Sequence, residues 1–308
     1  MNRSTPKYVF LHLLVMGALY LSAFSFITLL FQYVNFYFPD QLDFYYKGVF
    51  DNIHRSTAAL VILFPVYLLT SWLLAKDFKI QPELKGFRLR KWLIYLTLFL
   101  AAVAVIGDLV TLVFSFLSGE LTSRFLLKVL IVFVTAGAVF GYYLAEVRDK
   151  VSLKINKIFA AGSLIIVLLV IIAGFWIVGS PAYQRQLRLD ENRVNDLQIL
   201  QSEVVNYWIN KDELPNSLGD LKNTISGFVP PVDPETGSVY SYRVLGPLTF
   251  ELCAEFKAAS LGQTSQSVLK PLRPVGQLGP YQQNWDHGAG RVCFERKIDP
   301  EFYPKIKR

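Results

Sequence analysis

One carboxylate lies well inside a long apolar segment of the sequence. Asp108 is the only acidic residue between Trp92 and Leu117. A charged carboxylate at that depth of a bilayer is costly, so it must be paired, protonated or in contact with water. Lys128 and Arg55 are the basic residues placed to approach it. Two interpretations remain, a proton or ion relay and a structural ion pair with Lys128, and we favour the pair because one carboxylate does not make a pathway.

The only two cysteines are Cys253 and Cys293, and both lie in segments whose alternating pattern predicts β-strands. A disulfide between them would close a loop of about 40 residues and contribute roughly 3–4 kcal/mol. Disulfides persist in oxidising compartments, so the side of the membrane matters. We expect a disulfide if this half of the chain is external, and two free buried thiols are the alternative.

The three histidines do not suggest a haem or a metal site. His12 and His54 fall at opposite ends of the predicted membrane segments, and His287 is far along the chain, so no two of them can ligate one buried haem. The run Trp285–Gly288 combines Asp and His but lacks a nucleophile or a second ligand, and we expect a capped turn. Hydrolase, P-loop, dinucleotide, zinc-protease and Cys-x-x-Cys motifs are absent. The sequence therefore predicts no enzyme and no cofactor.

The elements that hold these residues are membrane helices in the first half of the chain. Hydrophobic residues make up 53% of the 308 residues and charged residues 18%, with a mean hydropathy of +0.35. Such values exclude a disordered chain and disfavour a single soluble domain. Five runs are each long enough to cross a bilayer. They are Val9–Phe38, Ser56–Ala75, Trp92–Leu117, Phe125–Ala145 and Phe159–Val178.

The net charge of +7 is a topology signal. Residues 1–178 carry 16 basic and 9 acidic residues, whereas residues 179–308 carry 15 of each. Of the basic residues in the short loops and at the helix ends, 12 fall on one predicted side and 3 on the other. Cytoplasmic loops are the basic ones, so the N-terminus is expected in the cytoplasm and the chain after about residue 179 outside. The charge points to a cytoplasmic (plasma) membrane and not to nucleic acid.

The external half begins with a helix signal. Ser180 and Pro181 suit the first positions of a helix that runs to about Asn210. One face carries an apolar stripe from Val194 to Trp208, and charged residues, Asp190 and Arg193 among them, occupy the other. We expect the stripe to pack on a sheet of the same domain, and a partner helix is the alternative.

A capped turn and three strands are predicted next. Ser217 and Asp220 can cap a short second helix. Strands are predicted over Ser238–Leu245 and Leu248–Phe256, which form a hairpin, and over Arg291–Ile298 after a long loop at 257–284. The turn Asp233-Pro234-Glu235-Thr236-Gly237 precedes the first strand.

This order of elements resembles the type IV pilin and type II secretion pseudopilin fold, that of the major pseudopilin in particular. The resemblance covers roughly residues 157–300 and rests on Asp190–Trp208, Leu214-Pro215 and the segment Asp233–Tyr242. It implies a long N-terminal helix packed on a small antiparallel sheet, and a role in protein contacts.

The departures from that fold are informative. Pilins carry a short basic leader, a Gly cleavage site and a Glu at the fifth position of the apolar segment. Here the corresponding span follows four others and contains no Glu, so neither processing by a prepilin peptidase nor release into a filament is expected. Major pseudopilins also bind calcium, but those ligands do not map onto this sequence, and no metal site is carried over.

The first half resembles a bacterial family of four-helix membrane domains of unknown function. The residues that carry this resemblance are Phe36–Asp40, Ile106–Leu109 and, most specifically, Phe116–Lys128. The resemblance implies a topology and no chemistry.

The sequence thus predicts an α-helical integral membrane bundle of five transmembrane helices followed by an external α+β pilin-like domain. The expected parts are a four-helix domain at 1–150, a fifth helix at 151–179 and an extracytoplasmic domain at 180–308. The expected function is a non-enzymatic envelope protein that contacts other proteins, with pilus or secretion machinery as candidate partners and the lipid bilayer around it. The alternatives are a small ion- or proton-coupled transporter that uses Asp108 and an enzyme with an unrecognised site.

Overall fold

A computed structural model describes residues 6–39, 46–80, 86–119, 121–148, 153–260 and 284–303. The chain divides into two compact units, 1–178 and 179–308. The fifth apolar helix belongs to the first unit. Most of the loop predicted at 257–284 lies outside the described residues.

The first unit is helical throughout its regular structure. Its helices are α1 Pro6–Tyr37, α2 Tyr46–Ile80, α3 Arg88–Leu117, α4 Ser123–Val147 and α5 Leu153–Val178. All five are long and apolar enough to cross a membrane, which confirms the five predicted segments and indicates a membrane protein. Helix α2 begins at Tyr46, well before the apolar run at Ser56, because a run of apolar residues marks the part that suits lipid and not the whole helix.

Helices α1 and α2 form an antiparallel pair. Lys7 at the start of α1 forms a salt bridge of 3.1 Å with Asp77 near the end of α2. At the other end, the rings of Phe36 and Phe50 lie 6.0 Å apart. Helix α5 approaches this pair closely, because a Cβ atom on Gly174 would lie 2.8 Å from the hydroxyl oxygen of Tyr33. Glycine at helix contacts lets backbones approach in this way.

The second unit begins with α6, Pro181–Lys211. Ser180 is its N-cap and accepts a hydrogen bond from the amide of Tyr183 at 3.2 Å, as the sequence predicts. The helix ends at Asp212, whose φ of +65° is left-handed and turns the chain away. A single 3-10 turn follows at Leu218–Leu221, with the predicted reciprocal capping between Ser217 and Asp220.

Three antiparallel strands complete this unit. They are β1 Ser241–Gly246, β2 Thr249–Phe256 and β3 Gly290–Lys297, in the spatial order β1-β2-β3. The hairpin and the third strand are therefore confirmed. The first strand begins three positions later than predicted, since Val239 instead bridges to Val232 across the preceding turn.

The apolar stripe of α6 covers the sheet and forms the core of the second unit. Leu200, Val204 and Trp208 are almost fully buried, and they share a cluster with Phe250 and Leu252 of β2. Alternation along β2 places these side chains on the helix face of the sheet. The predicted packing of the stripe on the domain's own sheet is confirmed.

Candidate functional site

The polar side chains of the first unit converge where α1, α3 and α5 begin and α2 and α4 end. We call this the basic end, because Lys79 of α2 and Lys91 of α3 lie there, both exposed. The antiparallel order of the helices brings these termini together. Ionisable residues at such a place are costly unless they are paired or hydrated, so their contacts indicate what they do.

An ion pair links α3 to α4 at the basic end. The guanidinium of Arg90 donates to the carboxylate of Glu146, and about four-fifths of each side chain is buried. The same guanidinium lies 5.2 Å from the ring centroid of Phe78 on α2. This side chain therefore contacts two other helices. In the sequence Arg90 counts only as one of the 12 basic residues that fall on the same predicted side of the membrane.

Tyrosines tie α4 to α5 and α2. The hydroxyl of Tyr142 donates to Asn156 Oδ1 at 2.9 Å, and its ring stacks on Phe159 with centroids 4.6 Å apart. The neighbouring Tyr143 is buried and hydrogen-bonds with the hydroxyl of Tyr67. Buried phenols need such partners, and the hydrophobic pattern alone does not reveal them.

His12 has one buried ring nitrogen without a hydrogen-bond partner. Its Nδ1 donates to the carbonyl oxygen of Tyr8 at 2.7 Å, because a carbonyl can only accept. The neutral ring then has a lone pair on Nε2. That atom is buried and has no hydrogen-bond partner, and only 3% of the residue is exposed. The rings of Phe78 and Phe87 flank it with centroids about 6 Å away.

These groups line one cavity of about 1420 Å³. All five helices contribute to its wall. Along α1 the wall runs from His12 to Phe26, a distance of about 21 Å at 1.5 Å per residue. Its charged side chains are Lys79, Arg90, Lys91 and Glu146, all at the basic end, and the far part is lined by Phe26, Leu60 and Phe64 together with residues of α5.

The residues singled out in the membrane segments do not form this site. Asp108, Lys128 and Arg55 are absent from the cavity wall among the described residues. Asp108 Oδ2 is buried without a hydrogen-bond partner, and no described residue forms an ion pair with it. Arg55 is exposed.

The predicted Asp108–Lys128 pair is therefore wrong for this structure. The ammonium of Lys128 lies 5.6 Å from the ring centroid of Phe31, on α1. Arg124, one turn earlier on α4, donates to Asn35 Oδ1 at 3.0 Å, also on α1. The two basic side chains at the start of α4 thus contact α1. The sequence does not predict this contact, because it places α4 next to α3 in the chain.

A second polar cluster lies inside the C-terminal unit, around Arg193. This side chain is only 1% exposed. Its guanidinium donates to Asp233 Oδ2 at 2.6 Å, to Asp190 Oδ1 at 2.7 Å and to Glu235 Oε2 at 2.8 Å. Asp190 and Arg193, which the sequence places on the charged face opposite the apolar stripe, are both buried. Their three-residue spacing places both on the side of α6 that faces the turn at 233–237.

Each carboxylate of the cluster has further partners. Asp190 Oδ2 accepts from the amides of Lys257 and Ala258, just after β2, at 3.0 and 2.8 Å. Asp233 Oδ1 accepts from the amides of Glu235 and Thr236 at 2.9 and 2.8 Å. The turn that contains Pro234 and ends at Gly237, with its φ of +70°, is thus held in one shape.

We call Arg193 with Asp190, Asp233 and Glu235 the clamp around Arg193. The directions of the pKa shifts of Asp233 and Arg193 agree with these contacts. Hydrogen bonds from Arg193 hold the pKa of Asp233 well below its usual range, although burial acts in the opposite direction. Burial alone would lower the pKa of Arg193, but its bonds to Asp233, Glu235 and Asp190 outweigh burial and raise it. One guanidinium thus binds three carboxylates, and the cluster fixes the position of the turn.

The two cysteines face each other in the sheet. Cys253 of β2 and Cys293 of β3 are directly opposed, with Cα atoms 4.0 Å apart, and their sulfur atoms lie at disulfide-bond distance. Glu251 lies beside them, but sulfur atoms engaged with each other are not thiolate ligands, so the trio is not a metal site.

His287 has a packing role in the same unit. Its ring stacks on Phe256 with centroids 3.6 Å apart, and only 4% of the residue is exposed. Its amide donates to Ser260 Oγ at 3.2 Å. The capped turn expected at Trp285–Gly288 is not formed as a regular turn, although the amide of Asp286 donates to Asn284 Oδ1 at 2.8 Å.

Comparison with known proteins adds one finding. Residues 8–143 match a family described as a domain of unknown function (DUF5671). The match covers α1 to α3 and most of α4 and fits the four-helix resemblance of the first half. No curated protein and no solved structure matches the chain.

Proposed function

We propose that this protein is a non-enzymatic bacterial envelope protein that anchors its C-terminal domain in the cytoplasmic membrane and presents it outside for contacts with other proteins. The observation that carries the proposal is a set of exposed apolar side chains on the turn-rich segment 222–240. Ile225 is 97% exposed, Val239 67% and Val229 64%, although the core of the same unit is well packed. The three side chains belong to one short segment of the chain, and exposed apolar surface that is contiguous marks interaction sites.

The clamp around Arg193 supports this proposal. It fixes Asp233 and Glu235, which lie in the same segment as the exposed side chains. The backbones of Val232 and Val239 are bridged across the turn, so this part of the chain is held in one shape before any partner arrives. A preorganised surface loses less conformational entropy on binding.

Three features support an external location of the domain and a pilin-like fold. The bias of basic residues is 12 to 3 in favour of the side that α1 starts from. The disulfide-distance pair of Cys253 and Cys293 suits an oxidising compartment. A long helix on a small antiparallel sheet, with the Asp233 turn between them, agrees with the pseudopilin resemblance, and pilus or secretion proteins are the partners we propose.

Site-specific photo-crosslinking in intact cells tests the proposal. A photoreactive residue at Ile225 or Val239 is expected to capture an envelope protein that mass spectrometry identifies. The matched control is Ile199, which is 47% exposed on α6. Capture at Ile199 equal to that at Ile225, or no capture at either of the turn positions, would reject the turn as the contact surface.

The transporter that uses Asp108 is the second candidate, favoured by the buried Oδ2 atom without a partner. The cavity wall among the described residues does not include Asp108, which is why protein contact is our first proposal. Proton flux into proteoliposomes distinguishes the two. Loss of a measured flux in Asp108→Asn would support the transporter.

A further inference from the structure

The cavity of the first unit is large and has a polar end and an apolar remainder. Its volume of about 1420 Å³ exceeds the roughly 300–1,000 Å³ of sites for small drug-like ligands. At the basic end three cationic side chains, of Lys79, Arg90 and Lys91, stand against one carboxylate, that of Glu146. Such a wall complements a ligand that has an anionic head and a long apolar tail.

Lys79 and Lys91 are placed to bind the anionic head of such a ligand. Arg90 is already bound to Glu146, so this pair contributes little net charge. Lys79 and Lys91 are exposed and form no ion pair within the described part of the chain. They lie on different helices, α2 and α3, and both line the same opening.

His12 supplies a second and independent requirement. Its buried Nε2 lone pair lines the cavity and needs a donor, which a phosphate group that is fully ionised cannot provide. A hydroxyl group on the ligand would satisfy it. An unsatisfied buried acceptor costs roughly the strength of one hydrogen bond, so a ligand that donates to it is favoured.

We propose that this cavity binds one anionic phospholipid whose headgroup carries a hydroxyl group. The phosphodiester lies near Lys79 and Lys91, the headgroup hydroxyl donates to His12 Nε2, and an acyl chain extends along α1 towards Phe26. The length of about 21 Å from His12 to Phe26 suits an extended chain of lipid. This site is separate from the contact surface proposed on the C-terminal domain.

Native mass spectrometry of the full-length protein in mild detergent tests the site with two lipids. Phosphatidylglycerol and phosphatidylcholine are titrated against the wild-type protein. We expect one retained phosphatidylglycerol per chain and at least tenfold weaker retention of phosphatidylcholine. Equal retention of the two lipids overturns the proposal, and this comparison needs no variant to fold.

Matched pairs of substitutions locate the site. Each lysine near an anionic headgroup contributes about fivefold in affinity, so Lys79→Gln with Lys91→Gln should weaken phosphatidylglycerol binding about 30-fold. The control is Lys76→Gln with Arg88→Gln, which removes the same charge from the same two helices outside the cavity wall. If the control pair weakens phosphatidylglycerol binding equally, the basic end attracts anionic lipid in general, and a specific site is rejected.

A third lipid isolates the role of His12. Phosphatidylmethanol has the same charge as phosphatidylglycerol but no headgroup hydroxyl. Wild-type protein should prefer phosphatidylglycerol by about fivefold, the value of one hydrogen bond. His12→Phe should bind both lipids equally. If the wild type shows no preference, or if His12→Phe keeps it, the hydroxyl is not recognised by His12 and that part of the proposal is wrong.

Discussion

Arg193 and Asp233 are 40 residues apart in the chain and form a two-point ion pair, with Nε to Oδ2 at 2.6 Å and Nη2 to Oδ1 at 3.2 Å. The planar guanidinium suits such bidentate contact with a carboxylate, which a lysine cannot reproduce. Through this pair α6 holds the turn that precedes β1. The relationship explains why a charged side chain on α6 is almost fully buried.

Loss of Arg193 is therefore expected to be severe. Arg193→Met leaves Asp190 and Asp233 buried without a cation and should lower the free energy of unfolding of the C-terminal unit by about 3–5 kcal/mol. Arg193→Lys should recover only part of this stability, because one ammonium group cannot reproduce the two-point contact of the guanidinium with Asp233. Thermal unfolding of the full chain in detergent measures the change. Arg188→Met, on an exposed position of α6, is the control and should change little.

The pair of Arg193 and Asp233 also predicts that the stability of the C-terminal unit depends on pH. The pKa of Asp233 is held below its usual value by Arg193, so its stabilising effect is complete above the pKa of the unfolded chain, about 4. It is lost progressively as pH falls through the lower folded pKa. Unfolding midpoints should therefore fall below about pH 4 in the wild type.

Asp233→Asn serves as the matched variant for this effect. It should be less stable than the wild type at pH 7 and should lose less stability between pH 5 and pH 2. If both proteins lose the same stability between pH 5 and pH 2, other carboxylates cause the effect.

The disulfide gives a third prediction. Alkylation of the denatured protein followed by mass analysis should find no free thiol, and reduction should release two. Cys253→Ser with Cys293→Ser should lower the free energy of unfolding by about 3–4 kcal/mol under oxidising conditions. Under reducing conditions the variant and the wild type should unfold alike. Two free thiols in protein purified from cells without a reductant would contradict both the bond and the external placement.

The sequence predicted the elements well and the polar contacts poorly. The capped start of α6 at Ser180, the reciprocal caps of Ser217 and Asp220 and the β1–β2 hairpin are local features, and local patterns identify them. The burial of Arg193 depends on partners 40 and 42 residues away, at Asp233 and Glu235. A pattern along one helix cannot reveal that. The packing of the α6 stripe on the sheet was predicted correctly because an apolar stripe is stable only when it is buried.

The cavity in the first unit was missed for the same reason. Its polar wall combines His12, Arg90, Glu146 and Asn156 from four helices, and each of these looks ordinary in its own segment. Asp108 stands out in the sequence because it is the one acidic residue within a long apolar run. The signal that was available is the position of His12 one turn inside the first apolar run, on the same predicted side as most basic residues.

Asp108 itself provides a decisive test between the structure and the ion pair predicted from sequence. In the structure its Oδ2 atom has no partner, so Asp108→Asn should leave the stability of the first unit unchanged or raise it, because an uncompensated acidic group in a membrane segment is costly. A pair with Lys128 requires the opposite, a loss that the double charge swap Asp108→Lys with Lys128→Asp restores. Unfolding in mixed micelles of the wild type, Asp108→Lys, Lys128→Asp and the double swap measures this restoration. Since Lys128 lies over Phe31, we expect Lys128→Gln to have an effect that is additive with that of Asp108→Asn, as for residues that do not interact.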